Sequence, residues 1–188
     1  MVKNLKRVGF IGFFLLFFSL CNFSLSYANS SQSDILLDKL ENLKSHAKAE
    51  VLRSKIWNLW VNAVSVKNQA QLKLALNEFE SGRLGLAENA FSKIIETEPF
   101  YMEAWNKRAT IRYLRGNFEG SLRDISEVLI REPRHFGAIS GLALIYMSQK
   151  KYIKALESYR KLQNIDPTSR AAIHFIPILK IKISGKLT

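Results

Sequence analysis

The chain has 188 residues, 47% of them hydrophobic, which suits one domain with a packed core and excludes a chain disordered by composition. Its 28 basic against 16 acidic residues give a net charge of +12. A surface that basic favours anionic partners (acidic proteins, lipid head groups or nucleic acid) or serves solubility alone.

Lys3, Lys6 and Arg7 open the chain, Val8 to Leu20 is an apolar run, and Ser26-Tyr27-Ala28 places small residues at −3 and −1 of a cut. This is the layout of a secretory signal peptide over residues 1–28, and it predicts export, to the periplasm or beyond the cell. Leu20 stands where a small residue would precede a lipidated cysteine, so Cys21, the only cysteine, leaves with the signal. The mature chain then has no disulfide, thiolate metal site or cysteine nucleophile. An apolar stretch retained as far as Tyr27 is long enough to span a bilayer, so an uncleaved anchor stays open as the alternative.

Residues 29–67 form an N-terminal helical extension: a polar lead (29–34), one helix from Ile35 to about Val61, and a connection over 62–67. In the helix Leu36, Leu40, Leu43, Ala47, Ile56, Trp57 and Trp60 recur at three- and four-residue steps between charged side chains. It is expected to dock on the exposed N-terminal face of the unit that follows, with the two tryptophans as anchors.

From there the chain keeps time with its prolines. Pro99, Pro133 and Pro167 are 34 residues apart, and an acid precedes each: Glu98, Glu132 and Asp166. A period of 34 is the length of a tetratricopeptide repeat (TPR), a helix–turn–helix unit that stacks on its neighbours. With proline at position 32 the units are 68–101, 102–135 and 136–169, followed by a capping segment, 170–188. Small residues fall at position 20 (Ala87, Ser121, Ala155), large apolar ones at 24 (Phe91, Ile125, Tyr159), and Gly82, Gly116 and Lys150 at the turn. The fold class predicted is all-α, a three-repeat TPR solenoid, with helices near 68–81, 84–97, 102–115, 118–131, 136–149 and 152–164. In the capping segment Thr168 or Ser169 reads as N-cap and Gly185 as stop, but Pro177 lies inside and the surrounding isoleucines do not fit one face. A helix kinked or broken at Pro177 is expected, its second half exposing isoleucines beside Lys180, Lys182 and Lys186.

Chemistry-bearing patterns do not emerge. His46, His135 and His174 are scattered, and no HExxH, Walker-type loop, strand-bound GxGxxG or GxSxG elbow occurs, so no catalytic residue, metal or cofactor is assigned. Lys107, Arg108, Arg112 and Arg115 share a helix with Trp105 and Tyr113, but Trp105 is a repeat core position and no nucleic-acid-reading motif fits.

Three segments carry a closer likeness: Glu103-Ala104-Trp105-Asn106-Lys107-Arg108-Ala109-Thr110, Ser121-Leu122-Arg123-Asp124-Ile125, and Glu132 to Gly141 (EPRHFGAISG). Together with Ile56-Trp57-Asn58-Leu59-Trp60 they resemble a group of short exported TPR proteins of Gram-negative bacteria, over residues 50–165. That resemblance implies an α-solenoid scaffold. TPR proteins receive a peptide or helix in a concave face lined by positions 2, 5, 9 and 12 of each first helix. Here these are Gln69, Leu72, Leu76 and Phe79, then Glu103, Asn106, Thr110 and Tyr113, then Gly137, Ser140, Leu144 and Met147. Leu72 and Leu76 stand where the chaperone-binding subclass has its carboxylate-clamping lysine and asparagine, so that subclass is excluded. Arg108 sits where a leucine usually packs, which implies a structural ion pair with Asp124 on the facing helix. The function expected is a non-catalytic, exported scaffold binding a partner protein or peptide in its groove. The alternative is an envelope-bound structural component attached by the N-terminal anchor or by the basic C-terminal segment, which also suits an anionic membrane or a homodimer contact.

Overall fold

The computed structural model describes residues 32–185, so the expected signal peptide lies outside the described residues. The helices are α1 (32–41), α2 (His46–Val61), α3 (Gln69–Glu80), α4 (Leu84–Thr97), α5 (Met102–Leu114), α6 (Phe118–Arg131), α7 (Phe136–Ser148), α8 (Tyr152–Ile165) and α9 (Arg170–Ile183), with a 3-10 turn at Val66–Asn68. No strand occurs among the described residues. Helices α3 to α8 stand in three antiparallel pairs, α9 packs on α8, and the architecture is a TPR-type solenoid.

Small residues set the helix spacing. Ala75, Ala109 and Ala143 on the first helix of each pair are buried, as are Ala87, Ser121 and Ala155 on the second. In the middle pair the Ser121 hydroxyl donates to the Ala109 carbonyl at 2.7 Å, tying the two close-contact positions together. Phe91, Ile125 and Tyr159 fill the space beside them.

Each first helix ends in the same way. Residues 82, 116 and 150 take left-handed φ values of 72°, 76° and 57°. The next amide reaches back five residues: Arg83 to Glu78, Asn117 to Arg112, Lys151 to Tyr146. Glycine adopts this conformation freely, whereas a lysine pays roughly 1–2 kcal/mol for it. Lys150→Gly is therefore expected to stabilise the fold by about 1 kcal/mol, read as a higher urea midpoint at constant slope.

Two N-terminal expectations are corrected. The predicted single helix is two: it stops at 41, and Ser45 caps α2 by accepting from the Lys48 amide. Nor does the segment cover the first repeat's outer face. Leu37, Leu40, Ala49, Ile56 and Trp60 are buried in one core with Ile139, Ala143, Tyr159 and α9, at the third repeat.

One part of the C-terminal expectation is corrected too, since α9 runs through Pro177 unbroken. Proline removes the hydrogen bond to the Ile173 carbonyl, but Pro177 and Ile173 are both exposed, so water can replace the lost donor. Ala172, Ile176 and Leu179 form the buried face, with Leu179 fully buried, while Ile181 and Ile183 are exposed beside Lys180 and Lys182, as expected of the second half. Ser169 accepts from the Ala172 amide as N-cap, and Gly185 follows the helix at φ 69°.

Candidate functional site

The acid before each repeat proline is extended, with φ between −134° and −137°, as a residue preceding proline must be. The N-terminal segment straps across the turns that follow the three repeats, meeting them in reverse order. At the third turn Arg53 Nη1 donates to Asp166 at 2.7 Å and to the Thr168 hydroxyl at 3.0 Å, while Nη2 reaches Glu50 at 2.6 Å. These carboxylates outweigh burial and raise the Arg53 pKa. At the second turn the Trp60 ring stacks on His135 at 4.2 Å and 18° and lies 5.0 Å from Phe136. At the first, Tyr101 donates to the Val61 carbonyl at 2.9 Å, and Glu98 accepts from the Ser65 amide and hydroxyl and from Asn68 Nδ2. Burial raises the Tyr101 pKa far above the phenol range, so the donor keeps its proton. A clasp from α1 completes the strap: Arg134 is 2.7 Å from Asp34 and 2.5 Å from Asp38, partners that raise its pKa against the effect of burial.

Beneath Trp60 lies a buried polar pair. His135 Nδ1 accepts from the Ala138 amide at 3.0 Å, which assigns the ring proton to Nε2, and Nε2 donates to Glu103 at 2.7 Å. Asn106 donates to the same carboxylate at 3.2 Å. Trp57 sits above Gly137, where an added Cβ would come within 3.0 Å of its indole ring, and Lys107 lies 5.0 Å from the Trp57 centroid. A larger residue there would require the Trp57 ring to shift by a few tenths of an ångström.

The groove positions divide accordingly. Glu103 and Asn106, read as partner-facing, are 1% and 6% exposed and spent on the His135 pair; Leu72 is 8% exposed and belongs to the first repeat's core. Gly137 is taken up by Trp57. Leu76, Phe79, Tyr113, Ser140, Leu144 and Met147 stay half-buried, and Thr110 is exposed. At the first repeat, Val61, Asn62 and Val64 face Gln69, Leu72, Lys73, Leu76, Asn77 and Glu80 across an open cavity of about 340 Å³. The structure therefore brings together a first-repeat groove that is open and second- and third-repeat positions that the chain itself covers near the turns.

The basic helix α5 is turned inward. Arg108 donates Nε and Nη2 to Asp124 at 2.9 and 2.8 Å and Nη1 to Ser92 at 2.9 Å. Arg112 bridges Asp124 at 2.9 Å and Glu88 at 2.8 Å, and Arg115 also pairs with Glu88. Burial pushes the Glu88 carboxyl up, but the two guanidiniums prevail and hold it below the usual range. Among the described residues no three His, Cys, Asp or Glu side chains gather to hold a metal ion, and no helix is long and apolar enough to cross a membrane.

The tetratricopeptide-repeat family model matches residues 72–125 and 115–170, together more than half of the chain. The chain belongs to the tetratricopeptide-repeat family. A TPR repeat-containing protein of Rhizobium etli is 31% identical over 155 residues, covering 82% of this chain and 76% of the relative. Among solved TPR structures, the first TPR of Spaghetti (RPAP3) bound to the HSP90 peptide SRMEEVD has 14% identity and a TM-score of 0.59, covering 61% of this chain and 91% of that one. The Sgt2 TPR domain from Aspergillus fumigatus has 18% identity and a TM-score of 0.59, with 64% and 81% covered. A TPR protein from Parabacteroides merdae, 18% identical with a TM-score of 0.58, matches 87% of this TPR chain and 61% of its own.

Sequence reasoning missed His135, Arg134, Arg53 and Tyr101 as contributors to this region. For Arg53 the signal available was Asp166, an acid before a proline whose buried carboxylate requires a donor from elsewhere; no comparable signal marks the other three.

Proposed function

We propose that the chain is an exported, non-catalytic scaffold that holds a protein or peptide in the part of its concave face left open by its own N-terminal strap. The observation that carries this reading is the first-repeat groove, in which α3 and the end of α2 face each other across open, mixed apolar and polar walls. Leu76, Phe79, Thr110, Tyr113, Ser140, Leu144 and Met147 continue that surface along the array. The adaptable Met147 suits a helix-in-groove or extended-peptide ligand. Export rests on the Lys3–Arg7 start, the apolar run to Leu20 and the Ser26-Tyr27-Ala28 cut, and kinship with short exported TPR proteins rests on the Glu103–Thr110, Ser121–Ile125 and Glu132–Gly141 segments.

One experiment tests both parts. The chain is expressed in a Gram-negative host with a C-terminal tag, recovered from the periplasmic fraction, sequenced from its N-terminus, and compared with a Leu76→Asp/Tyr113→Ala variant for the proteins it retains. A mature chain beginning at Asn29, with partners lost from a variant that still melts cooperatively, is the expected result. Full-length protein in the membrane pellet would overturn export with cleavage. Partners held equally by the variant would overturn the groove.

A further inference from the structure

One corner of the solenoid is unlike the rest of its surface. The turn after α7 carries Lys150 and Lys151, and the first turn of α8 carries Ile153 and Lys154. Helix α9 runs antiparallel to α8: Phe175 stacks on Tyr159 at 5.2 Å, and Lys182 lies over Tyr152 at 5.4 Å. The end of α9 therefore brings Lys180, Ile181, Lys182 and Ile183 beside the start of α8. All five lysines are exposed and none lies in an ion pair among the described residues, while Ile153, Ile181 and Ile183 are 63%, 42% and 40% exposed. Glu157, one turn further along α8, is the nearest acid in that helix.

We infer that this lysine–isoleucine corner docks the protein on an anionic lipid bilayer surface. Charge alone would suit an acidic protein equally. The interleaved isoleucines decide for a bilayer, because the boundary between head groups and acyl chains accepts apolar side chains and cations at neighbouring depths, and lysine stems snorkel between the two. A second observation points the same way. Lys150 holds a left-handed φ of 57° at the position where the other two repeats have Gly82 and Gly116, so a cation stands where the backbone favours glycine. A like-charged corner also opposes the docking of a second copy through the same face.

Lys150→Gly separates docking from folding, since it relieves the backbone while removing a charge. The full chain, its Lys150→Gly and Lys150→Gly/Lys180→Gln/Lys182→Gln variants, and Ile181→Ser are sedimented with vesicles of phosphatidylglycerol mixed with phosphatidylcholine and with pure phosphatidylcholine. The N-terminal residues, common to all, contribute equally. The expected result is excess binding to the anionic vesicles, lowered about fivefold by Lys150→Gly and about a hundredfold by the triple variant, with Ile181→Ser also weaker. The single glycine variant melts higher than the parent throughout. No excess binding to anionic vesicles, or unchanged binding by the triple variant, would overturn the inference.

Discussion

Trp60→Ala is expected to lower the unfolding free energy by about 3–5 kcal/mol, one of the largest effects of any single substitution here. The ring is 3% exposed, stacks on His135, lies against Phe136, and meets Trp57 edge-on at 6.2 Å. Its removal opens a cavity where strap, second turn and third repeat meet, and it admits water to the buried Glu103–His135 pair. The loss should appear in two measurements. The urea midpoint falls, and amide exchange accelerates first in α2 and at residues 98–106, before the α3–α4 pair opens. If the midpoint falls while α2 stays as protected as before, the strap is held elsewhere than at the tryptophans.

Asp124→Leu is the second, at about 3–5 kcal/mol, because Asp124 is a hub and not one half of a pair. Its side chain is 2% exposed and accepts from both Arg108 and Arg112. Leucine leaves two partly buried guanidiniums short of a partner, although Arg112 retains Glu88 and Arg108 retains Ser92. Arg108→Leu alone should cost less, since Asp124 keeps Arg112. Adding Arg108→Leu to Asp124→Leu should recover part of the loss, because it removes the more stranded of the two cations. Urea titrations of the three variants and the parent complete the double-mutant cycle; purely additive losses would mean that Arg108 and Asp124 are not coupled.

What could be read in advance divides by the range of the interaction. The proline comb, the small residues at position 20, and the turn residues at 82, 116 and 150 act within one 34-residue unit, and the helices lie within a residue or so of where that ruler puts them. The Arg108–Asp124 contact spans 16 residues, two helices of one unit, and repeat register suffices to suggest it. The strap is different in kind. Arg53 meets Asp166 across 113 residues and Arg134 meets Asp34 across 100, and no periodicity links those positions. Helical spacing showed that α2 has an apolar face but could not say which part of the solenoid would bury it.

Three of the groove positions, Leu72, Glu103 and Asn106, are buried for a related reason. Repeat numbering identifies which positions point toward the concave face, but not whether the chain's own helix lies over them, so Glu103 and Asn106 looked open and are closed. Pro177 shows a local rule overruled by exposure: the lost hydrogen bond faces solvent, while Ala172, Ile176 and Leu179 still make an uninterrupted buried stripe.

The position of α2 across the second turn is the claim on which the divided groove depends, and nuclear Overhauser spectroscopy of the folded chain tests it most directly. The stacked rings, with centroids 4.2 Å apart, predict cross-peaks from the Trp60 indole to the His135 ring, and the close approach of Trp57 to Gly137 predicts contacts to the Gly137 α-protons. Indole cross-peaks to α3 side chains such as Leu74, with none to His135 or Gly137, would place the helix on the outer face of the first repeat and leave the groove open along all three units.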